Sequence, residues 1–263
     1  PYGLDASSGI FGENRGGTMR VVLCEKPSQA ADVAKVIGAT NRGQGCFTGT
    51  GLAVTYCIGH LMENAAPEDY GDRYKKWSLE DLPIIPSEWK MKAKPKTQSQ
   101  LKTVKALLDK AKELVIATDP DREGELIAWE VIEHCGYKGP TLRMHLSALN
   151  QAAIKKAWAS LRPASETINQ YYSALARGRG DWLVGMNISR LFTLLGAQAG
   201  YQGVLSIGRV QTPTLRIVVD RDRTIKNFVA KPYWDLSVTL SHNKATFTAK
   251  WLPASAMDEQ GRC

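Results

Sequence analysis

The sequence predicts an α/β domain built on a parallel sheet, followed by a helical domain and the start of a β-rich domain. The first observation is that two apolar runs, residues 19–24 and 114–117, each lead into a charged loop and then a helical pattern. Strand, loop and helix in this order form the repeating unit of parallel sheets. The second is the stretch 169–195, which has few helix breakers and predicts one or two helices. The third is an alternating pattern after residue 234, which predicts a strand.

The first predicted unit begins with a buried strand over residues 19–24. The loop that follows carries Glu25 and Lys26, and apolar residues then recur at helical spacing up to Gly38. We expect Ser28 to cap this helix, because serine oxygens accept hydrogen bonds from the free amides at helix starts.

In the second predicted strand–loop–helix unit, the strand over residues 114–117 leads into an acidic segment, residues 119–125, which contains four carboxylates. Asp119, Asp121 and Glu123 are spaced so that their oxygens can converge on one side of a turn entering a helix. Converging carboxylates repel unless a cation lies between them, and oxygen-only ligands suit Mg²⁺. The alternative is a solvated acidic turn at a helix N-terminus, where carboxylates are favoured without a metal.

The two charged loops can form one ligand-binding site if their strands are neighbours in the sheet. Open parallel sheets bind ligands outside the carboxyl ends of their strands. Glu25 would then join the acidic cluster, and Lys26 would supply a cation for a phosphate. Taken alone, Glu25 and Lys26 are equally explained as a surface ion pair.

Composition restricts the class of protein. The 263 residues include 34 Lys and Arg against 26 Asp and Glu, a formal net charge of +8 that favours a polyanionic partner. No run of about 18 apolar residues occurs, so no membrane span is expected. The five cysteines show no C-x-x-C spacing, which favours a reducing compartment and argues against a structural zinc site.

The predicted domains are divided by composition. Residues 1–18 are polar and rich in Gly and Ser, and we expect a disordered upstream or non-native extension before a natural start at Met19. The α/β domain is expected over 19–161, a helical domain over 162–230, and the start of a β-rich domain over 231–263. In the last, residues 234–240 and 245–251 are expected to pair as a hairpin.

The helical region carries candidate nucleic-acid contacts. Arg177, Arg179 and Arg190 are candidates for phosphate binding, and Trp182 offers a ring for base stacking or for the core. Glycines beside polar residues in the following stretch predict either a phosphate-binding loop or a plain tight loop. The candidates there are Tyr201, Gln202, Gly203, Val204, Leu205, Ser206, Gly208, Arg209, Gln211 and Thr212.

Together these motifs resemble a known family. Glu25-Lys26-Pro27-Ser28 with Asp119-Pro-Asp-Arg-Glu-Gly124 resembles the Toprim domain of type IA DNA topoisomerases, which is Rossmann-like with a parallel sheet. The resemblance extends from about Met19 to Trp251. Further segments are similar to the bacterial topoisomerase III subgroup: Cys57-Ile-Gly-His-Leu61, Arg73-Tyr-Lys-Lys-Trp77, Ala176-Arg-Gly-Arg-Gly-Asp-Trp182 and Gly200-Tyr-Gln-Gly-Val-Leu-Ser-Ile-Gly-Arg-Val-Gln-Thr-Pro213.

The resemblance implies a reaction and its participants. It implies ATP-independent transesterification, in which a tyrosine attacks single-stranded DNA, forms a 5′-phosphotyrosyl link, and reseals the break after strand passage. Mg²⁺, or Mn²⁺ in its place, would be held by Asp119, Asp121, Glu123 and Glu25, and Lys26 would position the scissile phosphate or protonate the leaving 3′ oxygen. Trp77, Trp182 and Arg190 match residues associated with DNA contact. A monomer in the bacterial cytoplasm, associated with the nucleoid or a plasmid, is expected.

The sequence departs from the family pattern at the nucleophile, because none of its tyrosines stands in a Tyr-Pro-Arg context. In the family that tyrosine lies in a later domain, so we expect truncation and an inactive fragment. A Toprim nuclease or primase would use the same carboxylates, but it would lack the segment 206–212. A noncatalytic fragment that binds single-stranded DNA is the third interpretation.

Overall fold

The computed structural model describes residues 19–232, 234 and 236–251. The expected extension over residues 1–18 lies outside the described residues, as does the end of the chain after residue 251. The described chain forms two compact units, the first ending at Arg209 and the second beginning at Val210. No helix in these described ranges is long and apolar enough to cross a membrane.

The first unit is a mixed α/β structure. Its strands and helices, in chain order, are β1 (Arg20–Cys24), α1 (Pro27–Ile37), β2 (Asn41–Gly43), β3 (Cys46–Gly49), β4 (Leu52–Tyr56), β5 (Met62–Asn64), β6 (Met91–Ala93), α2 (Gln98–Leu108), β7 (Glu113–Ala117), α3 (Arg122–Cys135), β8 (Thr141–Arg143), α4 (Gln151–Ala159), β9 (Arg162–Pro163) and α5 (Ile168–Gln198). Short 3-10 turns join several of them.

The main sheet is mostly parallel at its centre. Its seven strands among the described residues follow the order β2-β3-β4-β1-β7-β8-β9. β1 pairs in parallel with β4 and β7, so that Cys24 lies opposite both Tyr56 and Ala117. The strands that end before Glu25 and Asp119 are therefore neighbours, which meets the condition for a shared site at their carboxyl ends.

Helices cover both faces of this sheet. Val21 and Leu23 of β1 pack towards α2 and α3, whereas Val22 and Cys24 pack towards α1 and α4. Successive side chains of a strand point to opposite faces, which explains why the whole run is apolar. Each buried aliphatic side chain contributes roughly 1.5–3 kcal/mol to stability.

Helix α1 begins two residues earlier than it would if Ser28 were its N-cap. Pro27 is its first residue, and the N-cap is Lys26, which makes no side-chain capping bond. The expected Ser28 cap is wrong, because proline with its fixed φ starts helices well and needs no amide partner at that position. The helix ends at Gly38 as predicted, where φ of 90° favours glycine.

The segment between β4 and α2 forms a lobe of its own. Strands β5 and β6 pair antiparallel in it. Tyr74 and Ile84 from its turns form a small core with Trp182 of α5. Helix α5 is one continuous helix of 31 residues, and its Tyr171 and Ala174 pack against Leu126 of α3.

The expected boundary at residue 162 falls within the sheet. Arg162 and Pro163 form β9, which pairs antiparallel with β8. This pairing satisfies backbone groups that a linker would leave to solvent.

The second unit contains α6 (Gln211–Lys226), β10 (Ser237–His242) and β11 (Ala245–Lys250). The two strands pair antiparallel, which confirms the predicted hairpin. Its turn residues Asn243 and Lys244 both have positive φ, of 49° and 65°, as the twist of a two-residue hairpin turn requires.

Candidate functional site

The side chain of Lys26 lies between two carboxylates at the carboxyl end of the sheet. The ammonium Nζ of Lys26 is 3.0 Å from Asp119 Oδ2 and 3.2 Å from Glu25 Oε1. Hydrogen bonds to Asp119, and then to Glu25, raise the pKa of Lys26. The adjacency of β1 and β7 brings these residues together, because each lies within two residues of the end of its strand.

Gln29 joins the two loops beneath this ion pair. Its Oε1 accepts from the amide of Glu25 at 2.7 Å, and its Nε2 donates to Asp119 Oδ1 at 3.1 Å. The amide of Asp119 also donates to Glu25 Oε2 at 3.2 Å. Gln29 is 3% exposed, so these bonds also satisfy a buried amide side chain. Sequence reasoning missed Gln29, whose one signal is a polar residue on the apolar side of α1.

The acidic segment folds into a tight turn that starts α3. The amide of Asp121 donates to the carbonyl of Asp119 at 2.9 Å, and Asp121 Oδ1 accepts from Gly124 N at 2.8 Å as the helix N-cap. A Cβ on Gly124 would lie 2.1 Å from the carbonyl oxygen of Asp119. The turn therefore requires glycine at this position.

A buried ion pair holds the same turn from inside. Arg143 Nε is 2.6 Å from Glu125 Oε1, and both side chains are almost fully buried. The Arg143 guanidinium also donates to the carbonyls of Thr118 at 2.8 Å and Asp119 at 2.7 Å. Burial lowers the pKa of Arg143, and the Glu125 carboxylate opposes this shift. Neither residue was predicted, because the partners are brought together only by the pairing of β7 with β8.

His60 bridges two carboxylates, Glu123 and Glu130. Its ring nitrogens lie 2.6 Å from Glu123 Oε1 and 2.8 Å from Glu130 Oε2. The hydrogen bond to Glu130 raises the pKa of His60, burial opposes this, and the bond to Glu123 adds to the rise. An imidazolium donating from both nitrogens fits this arrangement.

The expected convergence of Asp119, Asp121 and Glu123 is wrong for this conformation. Among the residues that the structure describes, no group of three or more His, Cys, Asp or Glu side chains is arranged to hold a metal. Glu123 is paired with His60, and one oxygen of Asp121 caps α3. The oxygens of Glu25 and Asp119 do share one cation, Lys26, and this donor set suits a hard divalent ion.

A cavity of about 450 Å³ adjoins the turn. Asp121, Glu123 and His60 line one side, and Arg177 and Asp181 of α5 line another. Arg177 is exposed, with Asp181 3.9 Å away. The cavity thus joins the acidic turn to the arginine-bearing helix within the first unit.

Two of the expected DNA contacts lie in the core. Trp182 is 6% exposed, donates from its indole nitrogen to Ala65 O at 2.9 Å, and packs edge-on with Tyr70 and Trp89. Arg190 is 5% exposed and donates to Tyr74 O at 2.9 Å. Base stacking needs an exposed ring, so the stacking expected of Trp182 does not fit this structure, nor does phosphate contact by Arg190.

The remaining candidates range from half-buried to exposed, and two of the arginines lie over tryptophan rings. Arg190 lies over the half-buried ring of Trp77, 5.0 Å from its centroid, and Arg179 lies over Trp89 at 5.2 Å. Tyr201, Gln202, Gly203, Val204, Ser206 and Arg209 are exposed, and Leu205 and Gly208 are half-buried. Gln211 and Thr212 open α6 in the second unit.

Family models match both parts of the chain. Residues 20–158 match the Toprim domain, and residues 165–262 match a family described as DNA topoisomerase. The solved structure of full-length topoisomerase I from Thermotoga maritima is similar with a TM-score of 0.60 and 25% identity, over 88% of this chain and 34% of that one.

Curated relatives extend over most of the chain. The DNA topoisomerase 3 of Vibrio cholerae is 44% identical over 257 residues, covering 92% of this chain. The DNA topoisomerase 3 of Salmonella typhimurium is 43% identical over 255 residues, covering 93% of this chain. The chain spans 40% and 39% of the length of these two relatives. The chain therefore belongs to the Toprim family and is a topoisomerase III-like member of the type IA DNA topoisomerases.

Proposed function

We propose that this chain supplies the metal- and phosphate-binding part of a Mg²⁺-assisted, ATP-independent transesterification on single-stranded DNA. The observation that carries the proposal is the meeting of Glu25, Lys26 and Asp119 at the carboxyl ends of two adjacent parallel strands. Ligands of open α/β sheets bind at this position.

Lys26 is the residue that would act on the phosphate. Its side chain is 55% exposed, so an anion can approach the ammonium from solvent. From there the ammonium can stabilise the charge on a phosphate oxygen or donate a proton to the leaving 3′ oxygen. Gln29 keeps both carboxylate loops in place around it.

Glu25 and Asp119 would hold Mg²⁺, with Asp121 beside them and Mn²⁺ able to substitute. A bound divalent ion would neutralise the charge that grows on the phosphodiester during strand transfer. Glu123 assists only if it leaves His60, because its Oε1 is engaged there at 2.6 Å.

Single-stranded DNA is the proposed partner. The net charge of +8 favours a polyanion. The cavity beside Asp121 and Glu123 reaches the exposed Arg177. Tyr201, which is 50% exposed, offers the stacking face that Trp182 lacks.

We further propose that the protein is a monomer and acts on bacterial DNA in the cytoplasm, at the nucleoid or on a plasmid. A dimer observed by light scattering would contradict the proposed monomer.

The proposal is tested with supercoiled plasmid and Mg²⁺. None of the nine tyrosines is followed by Pro-Arg, so this chain carries no nucleophile in the family context and is expected neither to nick nor to relax the plasmid. Nicking that disappears in Asp119→Asn would contradict the topoisomerase assignment and favour a Toprim nuclease that uses metal-activated water.

DNA preference is tested separately by fluorescence anisotropy. The chain is expected to bind a single-stranded oligonucleotide more tightly than the same sequence as a duplex. Its affinity should fall as salt rises, because bound counterions are released from the phosphates. Arg177→Ala should weaken binding and reduce the salt slope by about one. Duplex preference, or affinity independent of salt, would contradict the proposal.

A further inference from the structure

One face of α5 carries a row of residues spaced four apart: Asp181, Gly185, Ser189 and Thr193. Residues four apart lie on the same face of a helix, one above the other. From the sequence, Gly185 could be interpreted only as one of the few helix-breaking residues in the stretch 169–195. In the structure this row contacts the segment 201–209, which the chain places after α5.

Two hydroxyls of the row bind the backbone of that segment. Thr193 Oγ1 accepts from the amide of Leu205 at 2.9 Å. Ser189 Oγ accepts from the amide of Ile207 at 2.8 Å and donates to the carbonyl of the same residue at 3.1 Å. These side chains therefore bind main-chain groups, whose positions do not depend on a rotamer.

The row also fits the segment at two further points. Arg209 Nη1 donates to Asp181 Oδ1 at 2.6 Å. Gly185 lies where a Cβ would be 3.8 Å from the carbonyl oxygen of Ile207, so the backbone of the segment passes close to the helix here. The order of the contacts shows that the segment runs back along α5 towards its N-terminal end.

The spacing of the two partners matches. Residues four apart in a helix are separated by roughly 6 Å along its axis, and residues two apart in an extended segment by roughly 6.6 Å. Ser189 and Thr193 can therefore bind residues 207 and 205 together. A shift of the segment by one residue would break both amide bonds.

We propose that Ser189 and Thr193 are positioning residues that fix the register of the segment 201–209 on α5, and thereby the groups that it presents to a single DNA strand. The inference rests on the proposed function for the identity of the ligand, but the contacts on α5 do not depend on it. A segment already held in place loses less conformational entropy when DNA binds. Neither hydroxyl needs to touch the DNA for this effect.

The test compares the whole chain with a Ser189→Ala, Thr193→Val double variant. By anisotropy, the double variant should bind a fluorescein-labelled single-stranded oligonucleotide more weakly, on the order of tenfold, the equivalent of one or two neutral hydrogen bonds. Its salt slope should also fall, because Arg209, a candidate phosphate contact, is no longer held in position by the segment. Thr193→Ser, which keeps the hydroxyl, should retain the affinity that Thr193→Val loses. Ser173→Ala, at an exposed position earlier in α5, is the matched control and should bind as the wild type does.

Hydrogen exchange gives a second measurement that needs no DNA. The amides of Leu205 and Ile207 should exchange slowly in the wild type and rapidly in the double variant, with the unfolding midpoint of the chain unchanged. Two results would overturn the positioning role. One is that the wild type and the double variant both bind DNA with equal affinity and equal salt slope. The other is that the amides of Leu205 and Ile207 are unprotected in the wild type. A wild type that fails to bind single-stranded DNA would instead overturn the proposed function, while the exchange data would still decide whether the hydroxyls hold the segment.

Discussion

At the scale of single residues, burial separates the charges that bind ligands from those that hold the fold. Lys26 and Asp119 form an ion pair in which the two side chains are 55% and 40% exposed, so solvent and ligands compete for them. In the ion pair of Arg143 with Glu125, the two side chains are only 3% and 1% exposed. An exposed pair contributes little to stability and can rearrange, whereas breaking a buried pair leaves one charge without compensation.

Arg143→Met should lower the free energy of unfolding by about 3–5 kcal/mol, because the Glu125 carboxylate is left buried without its partner. Replacing both residues, Arg143→Met with Glu125→Leu, should recover much of this loss. Urea unfolding of the whole chain measures both. Lys105→Met, which removes one partner of the exposed Lys105–Asp109 pair, is the control and should cost less than about 0.5 kcal/mol. A loss equally small for Arg143→Met would show that the pair does not hold the turn.

Trp182→Ala should act on stability and not on base stacking. Its ring lies in the core formed with Tyr74 and Ile84, so the free energy of unfolding should fall by about 3–5 kcal/mol. Trp234→Ala, at a residue 69% exposed, is the control and should change stability by less than about 0.5 kcal/mol. A Trp182→Ala variant of normal stability with weakened DNA binding would restore the stacking role that the sequence analysis considered for this ring.

At the scale of elements, the turn from Asp119 into α3 decides the geometry of the site. It combines a backbone bond between Asp121 and Asp119, a side-chain cap on Gly124, and the Arg143 bonds to its carbonyls. The sequence predicted this element because apolar residues, carboxylates and a helical pattern follow one another directly. It could not predict that one carboxylate oxygen of Asp121 caps α3, or that Glu123 is hydrogen-bonded to His60, which is distant in sequence.

Gly124→Ala should distort this turn, since the added Cβ would lie 2.1 Å from the carbonyl oxygen of Asp119. We expect a loss of about 1–3 kcal/mol in the free energy of unfolding and weaker Mn²⁺ binding. Gly178→Ala in α5, where a Cβ would meet nothing within 4 Å, is the matched control. It should be neutral or stabilising by up to about 1 kcal/mol, because alanine favours helices. Both variants are compared by thermal unfolding and calorimetry, and an unperturbed Gly124→Ala would contradict the described turn.

Helix α5 shows a different limit of sequence reasoning. Its helical pattern was evident, but its inward-facing residues meet several neighbours. Tyr171 packs on α3, Trp182 packs on the segment between β4 and α2, and Ser189 is hydrogen-bonded to the loop after α5. A single helix that contacts different partners along its length has no one apolar face. Its arginines and tryptophan could therefore not be assigned to core or surface before the fold was known.

At the scale of the whole molecule, the order of the sheet creates the site. The carboxyl ends of β1 and β7 meet although their last residues, Cys24 and Ala117, are 93 positions apart along the chain. The sequence predicted both strands and their charged ends from local patterns, and the family resemblance predicted that they are neighbours. Periodicity alone could not do so, because sheet order depends on how helices α1, α2, α3 and α4 divide between the two faces.

The central claim, that the meeting of these two strand ends binds a divalent cation, is tested most directly by calorimetric titration of the whole chain with Mn²⁺. Saturable binding is expected for the wild type, and an Asp119→Asn, Asp121→Asn double variant should lose it. Asp220→Asn, Asp222→Asn changes two carboxylates with the same spacing on α6, of which Asp220 is half-buried and Asp222 is exposed, and should bind as the wild type does. Equal Mn²⁺ binding by the wild type and the Asp119→Asn, Asp121→Asn variant would contradict the account.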